Sequence, residues 1–224
     1  MNAKTPSGGL SVMQQRRDPL DSLDYFPTPP WATRALVECV LQPLGLSLAN
    51  ATVWEPAAGG GHMAQVLEYY ARAVIASDVH DYGIGAEIGS FVGSGPDVIT
   101  SKAAEWIITN PPFNLAEQFL ARARYEARGV AFLVRTAWLE GGERYEQIFK
   151  PHPPNVVALF SERVPMVKGR WDPKASTATS YCWCVWRPGT LAGGAPRLMW
   201  IPPGQRKRLT QPDDVARFTR NEAA

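Results

Sequence analysis

Ile107-Ile108-Thr109-Asn110-Pro111-Pro112-Phe113-Asn114 is the stretch on which the fold turns. Trp106 to Ile108 have the character of a buried strand's end, and Asn110 sits where that strand stops. Two prolines follow, and the residue before each is pushed away from the α region. The backbone from Asn110 to Pro112 is therefore expected to be stiff and extended. Proline supplies no N–H, so this segment cannot continue a ladder. A polar amide, a free carbonyl and an aromatic ring then project together at a strand's C-terminal end, the edge where ligands bind in open α/β sheets. Such a set suits a flat base with an exocyclic amine. The Asn110 oxygen and the Pro111 carbonyl can accept from an NH2 group, and Phe113 can stack on the ring. The alternative is a plain strand-to-helix turn capped by Asn110.

Upstream, residues 51–55 form the first expected strand, with Val53 and Trp54 apolar and Glu55 at its end. Pro56-Ala57-Ala58-Gly59-Gly60-Gly61 follows, then an expected helix over 62–70 with Met63, Val66 and Leu67 inward. Strand, glycine-rich turn and helix N-terminus make a ligand cradle, because glycines let backbone approach closely. The second strand, 74–76, leads to Asp78, which is placed to accept from a ribose diol. Gly59, Gly61, Ala64 and Asp78 also match the dinucleotide pattern G-x-G-x-x-A with a later acid. Glu55 argues against a diphosphate there, since like charges repel; it suits a cationic group instead. Residues 82–95 are expected as a loop and 97–99 as a short third strand, with Asp97 near a purine. Residues 105–109 are the fourth strand.

Further upstream lies Asp24-Tyr25-Phe26-Pro27-Thr28-Pro29-Pro30-Trp31. Its prolines make it extended and preordered. Thr28 is an expected N-cap with Pro29 at the first helical position. Trp31, Ala35, Leu36, Cys39 and Val40 recur at helical spacing until Pro43 and Gly45. The strip is either simple packing or a wall for a flat ligand.

Downstream, Leu115, Phe119, Leu120 and Ala123 mark a helix face. Strands are expected at 130–134, 156–160 and 180–186, with a short helix over 144–149. In the last strand Tyr181, Trp183 and Val185 alternate with Cys182, Cys184 and Trp186, so both faces are apolar and buried. The loop 163–179 carries Lys168, Arg170, Trp171 and Lys174, a set suited to phosphate contact and base stacking or to an ordinary solvated loop.

The chain has 224 residues, a net charge of +2 and 45% hydrophobic content. That fits one α/β domain with a sizeable core. No apolar run approaches the ~20 residues of a membrane span, and the N-terminus lacks a signal-peptide core. A cytoplasmic protein without membrane contact is expected. The spacing Cys182-Trp183-Cys184 matches no zinc pattern, and no metal site is expected. Residues 1–22, with Arg16 and Arg17, are expected as a flexible tail. Residues 23–203 would be the catalytic domain and 204–224, with Arg206-Lys207-Arg208, a basic tail.

Together these motifs resemble the class I S-adenosylmethionine-dependent methyltransferases, and within them the N6-adenine DNA methyltransferases. The matching stretches are 25–30, 55–61, Asp78 and 110–113. The resemblance implies a Rossmann-like α/β sheet of seven strands with helices on both faces in a single domain, and S-adenosylmethionine as cofactor. It implies that Tyr25, Phe26, Thr28 and Pro29 line the methionine end. Glu55, Ala57, Gly59 and Gly61 would hold the amino-acid moiety. Asp78 would take the ribose, with Val79 against adenine and Asp97 at its amine. Asn110, Pro111, Pro112 and Phe113 would be catalytic. The implied partner is DNA, with relaxed or short specificity because no long segment remains to read bases. RNA and protein glutamine are the alternatives for the same chemistry. A dinucleotide-binding oxidoreductase or a non-catalytic nucleic-acid binder is the reading from another class.

Overall fold

The computed structural model describes residues 24–187 and 195–219; the expected N-terminal tail, 1–22, lies outside them. The chain starts with an extended strip, 24–29, and then helix α1 (Pro30–Ala35), which continues as a π-helical turn to Leu41. Strand β1 (Thr52–Glu55) leads through the glycine turn into α2 (His62–Leu67), followed by β2 (Ala73–Asp78) and β3 (Glu87–Ile88). Then come β4 (Trp106–Thr109), α3 (Ala116–Glu126), β5 (Gly129–Arg135) and a short helix α4 (Gly142–Arg144) extended by a π-helical turn to Phe149. The remainder is β6 (Val156–Phe160), β7 (Tyr181–Trp186), β8 (Arg197–Ile201), α5 (Gln205–Leu209) and α6 (Asp214–Phe218).

The strands form one eight-stranded sheet in the order β3-β2-β1-β4-β5-β7-β6-β8. Only β7 runs against its neighbours: it pairs antiparallel with β5 and β6, and every other pair is parallel. The strand order reverses between β1 and β4, so a crevice opens above their C-terminal ends. Glu55, Asp78, Asn110 and Arg135 all stand at that edge, each at or just past the end of its strand.

Alternation within the strands builds two apolar layers. Tyr181, Trp183 and Val185 join Trp31, Leu36 and Trp106 in the layer under α1. Cys182, Cys184 and Trp186 join Trp54, Phe132 and Phe119 in the layer under α3. Each buried aromatic of this size contributes about 1.5–3 kcal/mol. The buried indoles also find acceptors: Trp183 donates to the Ala32 carbonyl at 3.2 Å and Trp54 to Ser77 Oγ at 2.8 Å. The two cysteines are small core residues on one face, as their spacing implies.

Several expectations need correction. The sheet has eight strands rather than seven, because β8 extends it beyond β6. The third strand is Glu87–Ile88, inside the stretch expected as a loop, and both residues are exposed. That explains the miss, since an exposed two-residue edge strand is too short to show alternation. Residues 97–99 make only an isolated bridge, Ser90 to Val98. Thr28 is no helix cap: α1 starts at Pro30 with Pro29 before it and no side-chain cap, and Thr28 is instead buried.

The described part of the basic tail, through Thr219, is docked structure. Arg34 of α1 meets Asp214 of α6 in a bidentate pair, 2.7 Å on both arms, with both side chains buried. Arg34 also donates to the Leu209 carbonyl at 2.8 Å. Arg208 pairs with Glu38 at 2.8 Å, and Arg206 donates to the carbonyls of Pro173 and Ala175. The basic residues of 206–208 are thus spent largely on the protein itself.

Candidate active site

The strip 24–29 is the element that assembles the site. Asn110 Nδ2 donates to the Phe26 carbonyl at 3.0 Å, and the Phe113 N–H donates to the Asp24 carboxylate at 2.6 Å. The Gly60 N–H donates to Tyr25 Oη at 3.2 Å, and the Gly169 N–H to the Tyr25 carbonyl at 2.9 Å. One extended segment therefore ties together the turn after β4, the glycine turn and the basic loop. Its prolines keep it extended, so the Phe26 and Tyr25 carbonyls accept from the turn after β4 and from the basic loop, while the Tyr25 hydroxyl takes the glycine turn.

The glycine turn is shaped by a side chain. Gly59 has φ +51°, and a Cβ there would collide with the Tyr25 ring; at Gly60 it would come within 2.6 Å of Tyr25 Oη. Gly59 and Gly60 are thus required by the approach of Tyr25. The Gly59 N–H donates to Asp78 Oδ2 at 2.8 Å, and the His80 N–H to Oδ1 at 3.1 Å. Asp78 thus braces the turn as well as facing the crevice. Burial raises its pKa, and the backbone donors of Gly59, His80 and Val79 pull it back.

Among the described residues, Glu55 Oε2, Thr109 Oγ1 and Asn110 Oδ1 are buried at this edge without a hydrogen-bond partner. Burial pushes the Glu55 carboxyl well above its ordinary range; the Ala64 N–H opposes that and the Asp78 charge adds to it. For Asn110 the amide orientation follows from its surroundings. Nδ2 faces the Phe26 carbonyl, so turning the amide would set oxygen against oxygen. Oδ1 is left as an unsatisfied acceptor, an arrangement that costs about 1–3 kcal/mol unless a donor arrives.

These groups line one cleft. Of the residues expected from sequence, Tyr25, Phe26, Thr28, Glu55, Ala57, Asp78, Val79 and the whole turn 110–113 line it. Pro29, Gly59 and Gly61 do not line it, and Pro29 instead borders a separate small depression with Trp31, Pro165 and Trp171. Asp97 does not reach it: the residue is exposed, and its carbonyl accepts from the Ser90 N–H. The wall there is made by Ser90, Phe91 and Val92.

Further lining residues were missed, among them Asp24, His62, Met63 and Tyr82. Tyr82 packs on Tyr25 with centroids 4.6 Å apart. Its only signal was its position shortly after Asp78. His62 follows the glycine turn directly, and that position could have marked it. Its Nε2 lies 3.0 Å from the Phe218 carbonyl, and burial depresses its pKa to about 4.

The basic loop borders the same cleft. Met166 Sδ is 3.6 Å from Asn110 Nδ2. Lys168, Arg170 and Lys174 are exposed. Trp171 is not available for stacking on a base: it is 4% exposed and packs with Val66 and Phe218. An aromatic in a basic loop looks the same in sequence whether it faces solvent or core.

No protein-family model matches the chain, and no curated protein matches it in sequence. Solved structures match in fold. A Pyrococcus horikoshii protein provisionally described as an RNA methyltransferase superposes with a TM-score of 0.54 at 16% identity, covering 76% of this chain and 90% of that one. A Listeria monocytogenes protein provisionally described as a class I S-adenosylmethionine-dependent methyltransferase gives 0.54 at 13% identity, covering 87% and 70%. At such identities the likeness is one of fold: a Rossmann-like α/β sheet shared with proteins so described.

Proposed function

We propose that this chain is an S-adenosylmethionine-dependent DNA methyltransferase that modifies N6 of adenine, with relaxed or short sequence specificity. The observation that carries the reading is Asn110 Oδ1, buried, oriented by the Phe26 carbonyl and lacking a donor at the C-terminal end of β4. An exocyclic NH2 group is the donor it lacks.

The cleft residues fit the cofactor. Glu55 Oε2 is a buried acceptor without a partner beside the glycine turn, where an ammonium would satisfy it and lower its raised pKa. Asp78 stands at the end of the neighbouring strand for a diol. A buried acid at the turn disfavours a diphosphate, which weighs against the dinucleotide reading. When bound, S-adenosylmethionine supplies an electrophilic methyl group on a sulfonium.

The chain's own residues then do the following. The target base leaves the helix to reach the cleft. Phe113 stacks on it, a contact of about 1–3 kcal/mol. Asn110 Oδ1 and the Pro111 carbonyl accept the two N6 hydrogens, favouring a tetrahedral nitrogen whose lone pair is released from the ring. Both acceptors act most strongly as positive charge develops on N6, so they lower the barrier more than they tighten ground-state binding. Lys168, Arg170 and Lys174 would contact phosphates, which position a substrate without reading sequence. With Trp171 buried, the loop offers no aromatic wedge, which supports relaxed specificity.

The test is incubation with labelled S-adenosylmethionine and DNA, RNA or protein, followed by digestion and identification of the modified unit. N6-methyladenine from DNA is expected. Label found only in RNA or on glutamine would move the substrate class and keep the chemistry. S-adenosylmethionine should raise Tm by mass action; a rise with NAD and none with S-adenosylmethionine would overturn the reading.

A further inference from the structure

Arg135 ends β5, the strand next to the one that carries Asn110. Its guanidinium carbon lies 3.8 Å from the centroid of the Phe113 ring. That is stacking distance, so one face of Phe113 is covered by a cation. The ring's other aromatic neighbour is Phe26, 5.3 Å away and tilted by 42°. The Phe26 backbone carbonyl is what holds the Asn110 amide. A base that stacks on Phe113 and also meets Asn110 must therefore use the face that Arg135 leaves open.

Neighbouring contacts hold Arg135 at this place. The Tyr181 hydroxyl is within its hydrogen-bonding reach. The Thr136 N–H donates to the Ser180 carbonyl at 2.9 Å, which staples the end of β5 to the start of β7. Arg163 donates to Ser180 Oγ, bringing a second guanidinium to the same corner. Asp24, whose carboxylate takes the Phe113 N–H, offsets part of this positive charge.

We propose that Arg135 is a substrate-binding residue: it grips a phosphate flanking the target nucleotide and reserves the inner face of Phe113 for the base. This rests on the nucleic-acid reading above. A guanidinium stacked on a ring keeps its N–H groups pointing outward in its own plane. With Tyr181 taking one direction, an edge remains for a bidentate phosphate contact. The side chain is exposed, so gripping an anion requires little desolvation. A cation–π contact at an exposed site is weak, so propping the ring is a small part of what an arginine can do here. Lysine would keep the charge but lose the planar fork, and glutamine would lose the charge.

The test compares wild type with Arg135→Gln and Arg135→Lys on an adenine-containing duplex, measuring Kd across a salt series together with kcat and KM. For Arg135→Gln the slope of log K against log salt should fall by about 0.9, the value for one lost phosphate contact. KM should rise several-fold while kcat changes less, and Tm with S-adenosylmethionine should stay within a degree or two of wild type. Arg135→Lys should keep the wild-type slope with a weaker Kd. If Arg135→Gln keeps the wild-type salt slope and loses kcat instead, Arg135 only props Phe113 and the proposal is overturned. A wild type that methylates no nucleic acid overturns the functional reading and this assignment together; a wild type that methylates, with an unchanged slope in Arg135→Gln, overturns this assignment alone.

Discussion

The turn after β4 and the C-terminal pair of helices are both held by buried polar groups, but they spend them differently. Arg34 satisfies both Asp214 oxygens and the Leu209 carbonyl, and Asp214 Oδ2 also takes the Gln211 N–H at 2.8 Å. Both oxygens of the buried Asp214 carboxylate thus have donors from the protein itself. At the turn, Asn110 uses its amide nitrogen on Phe26 and leaves its oxygen buried without a donor, as Glu55 does with one carboxylate oxygen. A saturated network fixes the fold. An unsaturated one stores binding capacity at a cost in stability. The two regions should therefore fail differently when cut.

The largest effect is expected from Arg34→Met. It leaves the Asp214 carboxylate buried and unpaired, which costs about 3–5 kcal/mol. Replacing both partners by apolar residues should cost much less. Urea denaturation of the single and double variants checks this; equal stability of Arg34→Met and wild type would mean that the helices are not docked in solution. Asn110→Ala belongs to the other kind. It should lower kcat by about 10²-fold or more, by analogy with removing one transition-state hydrogen-bond partner. Cofactor affinity should hold, and Tm should not fall, since an unsatisfied group is removed. Wild-type turnover would show that the chemistry lies elsewhere.

A third prediction sits where the two regions touch. His62 lines the cleft, and its ring nitrogen meets the Phe218 carbonyl of α6. Burial holds its pKa at about 4 in the folded chain, below the usual 6.5. The unfolded chain therefore takes up the proton first as pH falls. The stability contributed by this group is fully present above pH 6.5 and is lost as pH drops toward 4. Between pH 7.5 and pH 5 the loss is about 2 kcal/mol, at 1.36 kcal/mol per pKa unit. His62→Gln should lack this slope, as urea midpoints at the two pH values would report. The smallest effect concerns surface charge alone. Lys168→Ala with Arg170→Ala should leave Tm unchanged, weaken DNA binding uniformly across sequences and reduce the salt slope by about 1.8. A selective loss at one sequence would mean that the loop reads bases.

The legible features were those governed by neighbours in the chain. Six of the eight strands were placed within a residue or two, because apolar runs such as 130–134 and the alternation of 181–186 have one physical solution in a buried sheet. Asn110 at a strand's end followed from the two prolines, which cannot extend a ladder. The misses share a cause. Glu87–Ile88 is short and exposed. Trp171 is buried by Val66 and Phe218, from elements far along the chain. Residues 205–219 looked like a basic tail because their two helices are short and their anchor, Arg34, lies 180 positions away from Asp214.

What the sequence determined by itself is therefore the set of strands 1, 2, 4, 5, 6 and 7, the glycine turn after the first and the stiff Asn-Pro-Pro-Phe turn after the fourth. These rest on backbone restriction and local periodicity, which act over a few residues. Tertiary structure alone decided which way the Asn110 amide faces, since the Phe26 carbonyl that orients it lies 84 positions earlier. It also decided that Tyr25 covers the glycine turn, that Ser90 to Val92 rather than Asp97 close the crevice, that Arg135 caps Phe113 and that the last helices dock on Arg34. Each of these is a meeting of residues far apart in the chain, and such meetings depend on the order in which the sheet brings its strand ends together.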